Sequence, residues 1–259
     1  MADIKVIGTG IIPFGKHPER TLVEMGAEAA FLALRDAGIS PLQVEAAFFS
    51  NGLASRLFGD QTIGQNVLWE VGIHRIPVVN VENACTSGST AFYLACNMVA
   101  AGQAETVIVV GAEKMCVPEF GLINSGETEI DTQLGMVAPA GFALRAVRHM
   151  HEFGTTREQL ARVAVKNRRH AAGNPAAQYR DPVTLEEVLE SPMIVDPLTR
   201  FQCCPIADGA AAVVVASSEA AGRQGRTVRV DASILCTGSY ENPQDLTRWE
   251  TDYRGCRTA

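Results

Sequence analysis

The segment Val81-Glu82-Asn83-Ala84-Cys85-Thr86-Ser87-Gly88-Ser89 carries the most chemical promise, because a buried strand is predicted to run straight into a helix with a cysteine at the junction. Unpaired amides and the dipole at a helix N-terminus favour a thiolate, which would make Cys85 a nucleophile at neutral pH, and the same amides could hold an oxyanion. Position alone leaves a second reading open, in which Cys85 is one of seven small, buried, apolar cysteines. Ser87, Gly88 and Ser89 read as capping and close-packing residues. Cys96 falls in mid-helix, Cys116 follows a strand, Cys203 and Cys204 are adjacent and Cys236 ends a strand, so each is assigned to core packing. His149 and His151 form an H-x-H pair, which without a third ligand does not define a metal site.

A second signal is electrostatic. Between residues 145 and 180 stand eight basic side chains (Arg145, Arg148, Arg157, Arg162, Lys166, Arg168, Arg169 and Arg180) against two acidic ones, in a chain of net charge −7. Arg162, Lys166 and Arg169 share one face at helical spacing, which suits phosphate groups; a solvated or ion-paired helix face is the equal alternative. A thiol nucleophile together with a phosphate-sized cationic face suggests a phosphorylated thioester, of which coenzyme A is the common metabolic form. Gly8-Thr9-Gly10 lacks the third glycine of a dinucleotide fingerprint, and no phosphate-loop, zinc-protease or nucleophile-elbow motif occurs.

The elements that must hold these residues alternate. Ile4 to Ile12 reads as a strand, Thr21 to Ala37 as a helix stopped by Gly38, Ala46 to Ser50 as a strand, Gln61 to Val71 as a helix, and Ile76 to Val81 as a strand. Ser87 to Ala101 follows as a helix and Thr106 to Ala112 as a buried strand. Helices of this length between strands imply parallel crossovers and an α/β sheet covered on both faces. From Cys116 to about Cys203 the β-branched runs disappear and the chain reads as a polar, helical insertion. Sheet resumes over Asp208 to Ser217, and Val228 to Gly238 reads as one further strand, left without a partner and so an aggregation liability unless covered.

Composition sets outer bounds. The chain has 259 residues, 47% hydrophobic, with 22 basic against 29 acidic side chains, which excludes disorder and argues against general nucleic-acid binding. An odd cysteine count without paired spacing suits a reducing compartment, and neither a leader nor a membrane-length apolar run is evident. A soluble, cytoplasmic protein is the expectation, with no membrane association.

Taken in order, GTGIIPFGK, Gly64-Gln65-Asn66, NACTSGSTAFYLA, VVGAEKM, HEFGTTREQLARVAVKNRRHA and DPLTRFQCCPIADGAAAVVVAS resemble the thiolase superfamily, in its sterol-carrier-protein-like branch of acetyl-CoA acyltransferases. The resemblance implies a thiolase-like N-terminal half-domain with a mixed five-stranded sheet covered by helices. It also implies a mostly helical loop domain interrupting that half. The expected bounds are 1–115 for the half-domain, 116–203 for the loop domain, 204–222 for the return to the sheet, and 223–259 for the start of a second half-domain. On the same resemblance Cys85 is the acyl-accepting cysteine, and Met150, His151 and Phe153 match the pantetheine-contacting loop. The basic helix with Arg162, Lys166 and Arg169 matches the region that receives the CoA nucleotide. The family's second half supplies a histidine that activates the nucleophile and a second cysteine acting as acid or base. None of the five histidines here matches that histidine, so further sequence or another polypeptide is expected to complete the site.

The activity implied is thiolytic cleavage or formation of 3-ketoacyl-CoA, with CoA as substrate and no tightly bound cofactor or metal. A retro-aldolase, or a subunit like those of benzoylsuccinyl-CoA thiolases working with a small zinc-ribbon and OB-fold partner, is the alternative within the family. A non-catalytic acyl-CoA-binding subunit is the alternative outside it. Pairing of two copies near Val78 to Asn83 is expected, and Phe120, Leu122, Met136 and Phe142 are candidates for an acyl pocket.

Overall fold

The computed structural model describes residues 3–117, 130–222 and 226–236. The chain divides into two compact units, one within Met1–Pro118 and Ala207–Leu235, the other within Glu119–Ile206.

The first unit is built on β1 (Ile4–Ile11), β2 (Ala46–Ser50), β3 (Val78–Val81), β4 (Thr106–Glu113), β7 (Gly209–Ser217) and β8 (Val228–Arg229), in the spatial order β3-β2-β4-β7-β1-β8. β2 pairs in parallel with β3 and β4, whereas β7 runs antiparallel to both β4 and β1. The helices are α1 (Leu22–Ala37), the short α2 (Ala54–Phe58), α3 (Ile63–Val71) and α4 (Ser87–Ala100). Alternation along β2 shows how the layers form: Ala47 and Phe49 enter the core shared with α1 and α3, while Ala46 and Phe48 enter the core shared with α4.

Local chemistry accounts for the edges of these elements. Thr21 caps α1 through a reciprocal box, its Oγ1 accepting from Glu24 N at 3.2 Å while Glu24 Oε2 accepts from Thr21 N at 2.7 Å, and Gly38 ends the helix at φ 66°. The Gly8-Thr9-Gly10 run is a packing device. A Cβ built on Gly8 or Gly10 would lie 2.4 Å from Ala33 O or 2.1 Å from Ala29 O, so only glycine lets α1 seat its alanine face on β1.

Three expectations need correction. The sheet has six strands rather than five, because Val228–Arg229 adds to β1. That last segment is therefore not unpaired: it joins β1 antiparallel, and Val230 N donates to Ile4 O at 2.9 Å, although the strand is two residues long and Gly238 lies outside the described residues. β3 is not a buried strand, since it forms the sheet edge with Val79 and Asn80 exposed.

The second unit contains α5 (Ile130–Gln133), α6 (Ala138–Phe153), α7 (Arg157–Ala172) and α8 (Leu185–Glu190), and a hairpin of β5 (Met193–Val195) with β6 (Leu198–Thr199) that the helical reading did not foresee. Thr156 with Gln159 and Thr184 with Glu187 form capping boxes that start α7 and α8. Its buried side chains among the described residues are small: Ala143, Ala161, Ala176, Val188, Pro197 and Thr199, whose Oγ1 donates to Val188 O at 2.7 Å. Among the described residues of the whole chain no helix is long and apolar enough to cross a membrane.

Candidate active site

β3 ends at Val81 and α4 begins at Ser87, so Cys85 stands on the turn between them, and it is exposed. The turn is wired from the first turns of α4. Ser87 Oγ accepts from Asn83 N at 2.8 Å and donates to Ala84 O at 2.7 Å, Thr86 Oγ1 donates to Asn83 O at 2.7 Å, and Asn83 Nδ2 donates to Thr90 Oγ1 at 2.9 Å. These bonds hold Ala84 at φ 45°, a conformation that an L side chain adopts only under constraint. Ser87 thus does more than cap: it braces the backbone that presents the sulfur. The N-cap position itself is Thr86, whose side chain makes no cap bond to the helix amides.

The adjoining end of β4 contributes a half-buried acid. Glu113 Oε2 accepts from Gly52 N at 2.8 Å and Oε1 from Asn51 Nδ2 at 3.0 Å. Burial pushes its carboxyl above the ordinary range, against the lowering effect of the Gly52, Asn51 and Leu53 donors, and the Glu82 carboxylate pushes it further up. On the open flank of β3 a groove of about 310 Å³ is lined by Asn51, Asp60, Asn80 and Glu82.

The other cysteines do not compete for the nucleophile's role on the same terms. Cys96 is buried in α4, and desolvation raises its thiol to about 11. Burial also raises Cys116 and Cys203. Core packing holds for Cys96 but not for Cys204 and Cys236, which are exposed, because the chain there runs outside regular elements.

In the second unit the last turn of α6 carries Met150, half-buried, with His151 and Phe153 exposed, and Gly154 closes it at φ 66°. His149 Nδ1 is hydrogen-bonded to Thr155 Oγ1 at 2.8 Å, and its ring lies against Phe153 at 4.8 Å. Arg162, Lys166 and Arg169 are exposed together on α7 and make no salt bridge among the described residues. The neighbouring cations are engaged: Arg148 pairs with Glu152, Arg157 with Asp196, and Arg168 lies over Tyr179 at 4.5 Å and Phe201 at 5.4 Å. Of the pocket candidates, Phe142 is 60% exposed and Met136 half-buried, while Phe120 and Leu122 lie outside the described residues. Among the described residues no group of three or more histidine, cysteine or acidic side chains could hold a metal ion.

Sequence reasoning did not single out Glu113, Asn51 and Gly52. The signal was the pairing of β2 with β4, which sets Ser50 beside Gly111 so that the following residues emerge side by side.

The family model described as "Thiolase, N-terminal domain" matches residues 4–219. The chain belongs to the thiolase family. It is 38% identical to "Benzoylsuccinyl-CoA thiolase subunit BbsB" of Thauera aromatica over 94% of this chain and 64% of that relative. It is 36% identical to "Acetyl-CoA acetyltransferase" of Methanothermobacter thermautotrophicus over 100% of this chain and 69% of the relative. Sterol carrier protein 2 of Homo sapiens is 34% identical, with 90% of this chain covering 45% of it. The thiolase chain thus spans about two thirds or less of the length of several relatives it matches. Among solved structures, "Ltp2-ChsH2(DUF35) aldolase" aligns at a TM-score of 0.72 with 31% identity, covering 86% of this chain and 58% of that one. Human mitochondrial 3-ketoacyl-CoA thiolase in complex with CoA aligns at 0.65 with 21% identity, 86% and 66% covered, which speaks for the thiolase fold.

Proposed function

We propose that this thiolase chain carries the nucleophile of a CoA-dependent acyltransferase. The Cys85 thiolate attacks the 3-keto carbon of a 3-ketoacyl-CoA, and the bond between C2 and C3 breaks. A short acyl-CoA leaves as the carbanion and is protonated, and the acyl group remains as a thioester on Cys85. Free CoA then attacks that thioester, giving a shortened acyl-CoA and the free thiol. Run backwards, the same steps condense two thioesters. The histidine base and second cysteine that the resemblance assigns to the second half-domain manage the protons.

The observation that carries this reading is the exposure of Cys85 on a strained turn directly ahead of α4. Arg162, Lys166 and Arg169 supply the charge for the CoA phosphates, and Met150, His151 and Phe153 the contacts to pantetheine. CoA enters as substrate, and no resident cofactor is invoked.

Incubation with an acyl-CoA and peptide mass spectrometry test the nucleophile: the adduct belongs on the peptide containing Cys85, and Cys85→Ala removes it. An acyl adduct persisting on that peptide in the variant would overturn the assignment.

A second reading is favoured by the likeness to "Ltp2-ChsH2(DUF35) aldolase" and to a protein named as a thiolase subunit. In it the chain acts with a small zinc-ribbon and OB-fold partner in a retro-aldol cleavage. Products separate the two, since aldol cleavage releases a carbonyl compound and consumes no free CoA.

We also propose self-association through the β3 edge, where Val79 and the nearby Trp69 of α3 are exposed. A cytoplasmic location is proposed on the free state of the described cysteines, which suits a reducing compartment.

A further inference from the structure

The corner beside the turn bearing Cys85 holds a carboxylate, Glu113, that lies in the VVGAEKM segment and to which sequence reasoning gave no role. β2 and β4 lie parallel with Ser50 beside Gly111, so Asn51-Gly52 leaves β2 next to Ala112-Glu113 at the end of β4. Glu113 takes donors from both residues of that corner, Gly52 N at 2.8 Å and Asn51 Nδ2 at 3.0 Å, while Asn51 Nδ2 also reaches Ala112 O at 2.6 Å. Asn51 Oδ1 then accepts from Leu53 N at 2.9 Å and from Ala54 N, starting α2. On the side where a side chain would stand, Gly52 neighbours the nucleophile turn: a Cβ built on it would lie 3.5 Å from both Ala84 O and Glu113 Oε2. Glu113 Oε2 and Ala84 O therefore border the same face of Gly52, and Ala84 is the positive-φ residue immediately before Cys85.

We infer that Glu113 is a positioning residue for Cys85: its carboxylate clamps the Asn51-Gly52 corner in place beside Ala84 and so steadies the strained backbone that presents the sulfur. This rests on the reading of Cys85 as the nucleophile and deepens it.

The chemistry of the clamp depends on protonation. Ionised, Glu113 offers acceptors to both amide donors; protonated, it must turn one oxygen into a donor and lose one of them. The groups facing it are the Gly52 and Leu53 amides and Asn51 from the β2 corner and the Glu82 carboxylate from the β3 turn. On its own strand's continuation, Lys114 Nζ is turned away, donating to His17 O at 2.6 Å with Asp208 Oδ2 at 3.7 Å. Across the sheet its neighbour is Gly209. Burial and Glu82 raise the Glu113 carboxyl, which moves the loss of the clamp above the ordinary carboxylate range.

The test is the rate of Cys85 alkylation by iodoacetamide, read by peptide mass spectrometry on the whole chain from pH 5 to 9, with exposed Cys204 as internal reference. At pH 8 Glu113→Gln is expected to slow Cys85 about tenfold, because a half-buried donor loses its acceptor, with Cys204 unchanged. The ratio of wild-type to E113Q rates then falls toward one at acid pH, where wild-type Glu113 is itself protonated. A ratio under two at pH 8, a ratio independent of pH, or a parallel change at Cys204 overturns the inference; the last two are what a purely structural role produces. Should E113Q not fold, Glu113→Asp is read by the same criteria, since its shorter arm cannot bridge both donors. Alkylation needs no acyl transfer, so a Cys85 that never accepts an acyl group sinks the nucleophile reading while leaving the alkylation ratio to judge the clamp.

Discussion

Asp208 Oδ1 accepts a hydrogen bond from the backbone amide of Cys116 at 2.7 Å, which ties the residue entering β7 to the segment leaving β4, 92 positions earlier in the chain. The same carboxylate takes Met115 N at 2.8 Å and His17 N at 3.0 Å, with Lys114 Nζ at 3.7 Å, and its side chain is fully buried. Burial by itself raises the carboxyl, but the amides of Cys116, His17 and Met115 and the Lys114 ammonium outweigh it and hold Asp208 below its ordinary value. The two ends at which the second unit's sequence departs and returns are thereby pinned by one side chain.

Asp208→Ala is expected to cost about 3–5 kcal/mol, since it leaves three amides without their buried acceptor and Lys114 without its buried counter-charge, and Asp208→Asn about 1–3 kcal/mol because one oxygen survives. With the folded pKa depressed, the stabilisation is complete above the unfolded value, about 3.9, and disappears as pH falls through the folded one. Urea unfolding of wild type and D208N at pH 7 and at pH 3 checks this: the gap between them must shrink at the lower pH. A constant gap would show that the carboxylate's charge contributes nothing.

Ser87 makes a sharper case at the candidate site. Its hydroxyl joins Asn83 N to Ala84 O, so Ser87→Ala removes both braces of the positive-φ residue. The expected loss is about 1–2 kcal/mol in thermal unfolding, accompanied by slower alkylation of Cys85. Unchanged alkylation with reduced stability would mean that the brace serves the fold alone.

How much of this was legible beforehand varies with how local the cause is. β2 and α1 were readable because a short apolar segment, and apolar residues at helical spacing ended by Gly38, are local signals. α2 was missed because five residues without a side-chain cap have no periodicity to read, and β5 and β6 because they are two or three residues long. The apolar run of β3 looked buried, yet burial depends on what lies alongside, and at the sheet edge Val79 and Asn80 are exposed. Cys85 was found by its place at a strand-to-helix junction. Glu113 and Gly52, 61 positions apart, meet only because β4 runs past Gly111, the parallel partner of β2's last residue Ser50, alongside the chain that leaves β2.

Gly10 tests the packing of α1. A methyl group there would lie 2.1 Å from Ala29 O, a backbone atom that cannot swing aside, so the helix must lift off β1. Gly10→Ala is expected to destabilise the chain by about 3 kcal/mol, against less than 1 kcal/mol for Gly15→Ala, where a Cβ meets nothing within 4 Å. Chemical denaturation of the pair decides it; equal losses would show that helix-to-strand contact is not what glycine secures at position 10.

The cationic face of α7 can be tested apart from the chemistry. Arg162, Lys166 and Arg169 stand exposed without salt-bridge partners among the described residues, whereas Arg157 is paired with Asp196 and Arg168 is stacked on Tyr179. If the three bind the phosphates of CoA, their combined replacement by alanine weakens CoA binding by roughly tenfold, at up to about 1 kcal/mol for each exposed ion pair. Raising the salt concentration should weaken wild-type binding and leave the triple variant little changed, because screening acts on the charges that the variant lacks. Pantetheine, which has no phosphate, should bind both proteins alike in calorimetry. An equal loss of pantetheine would locate the damage in the fold of α7, and retention of CoA affinity would move the phosphates elsewhere.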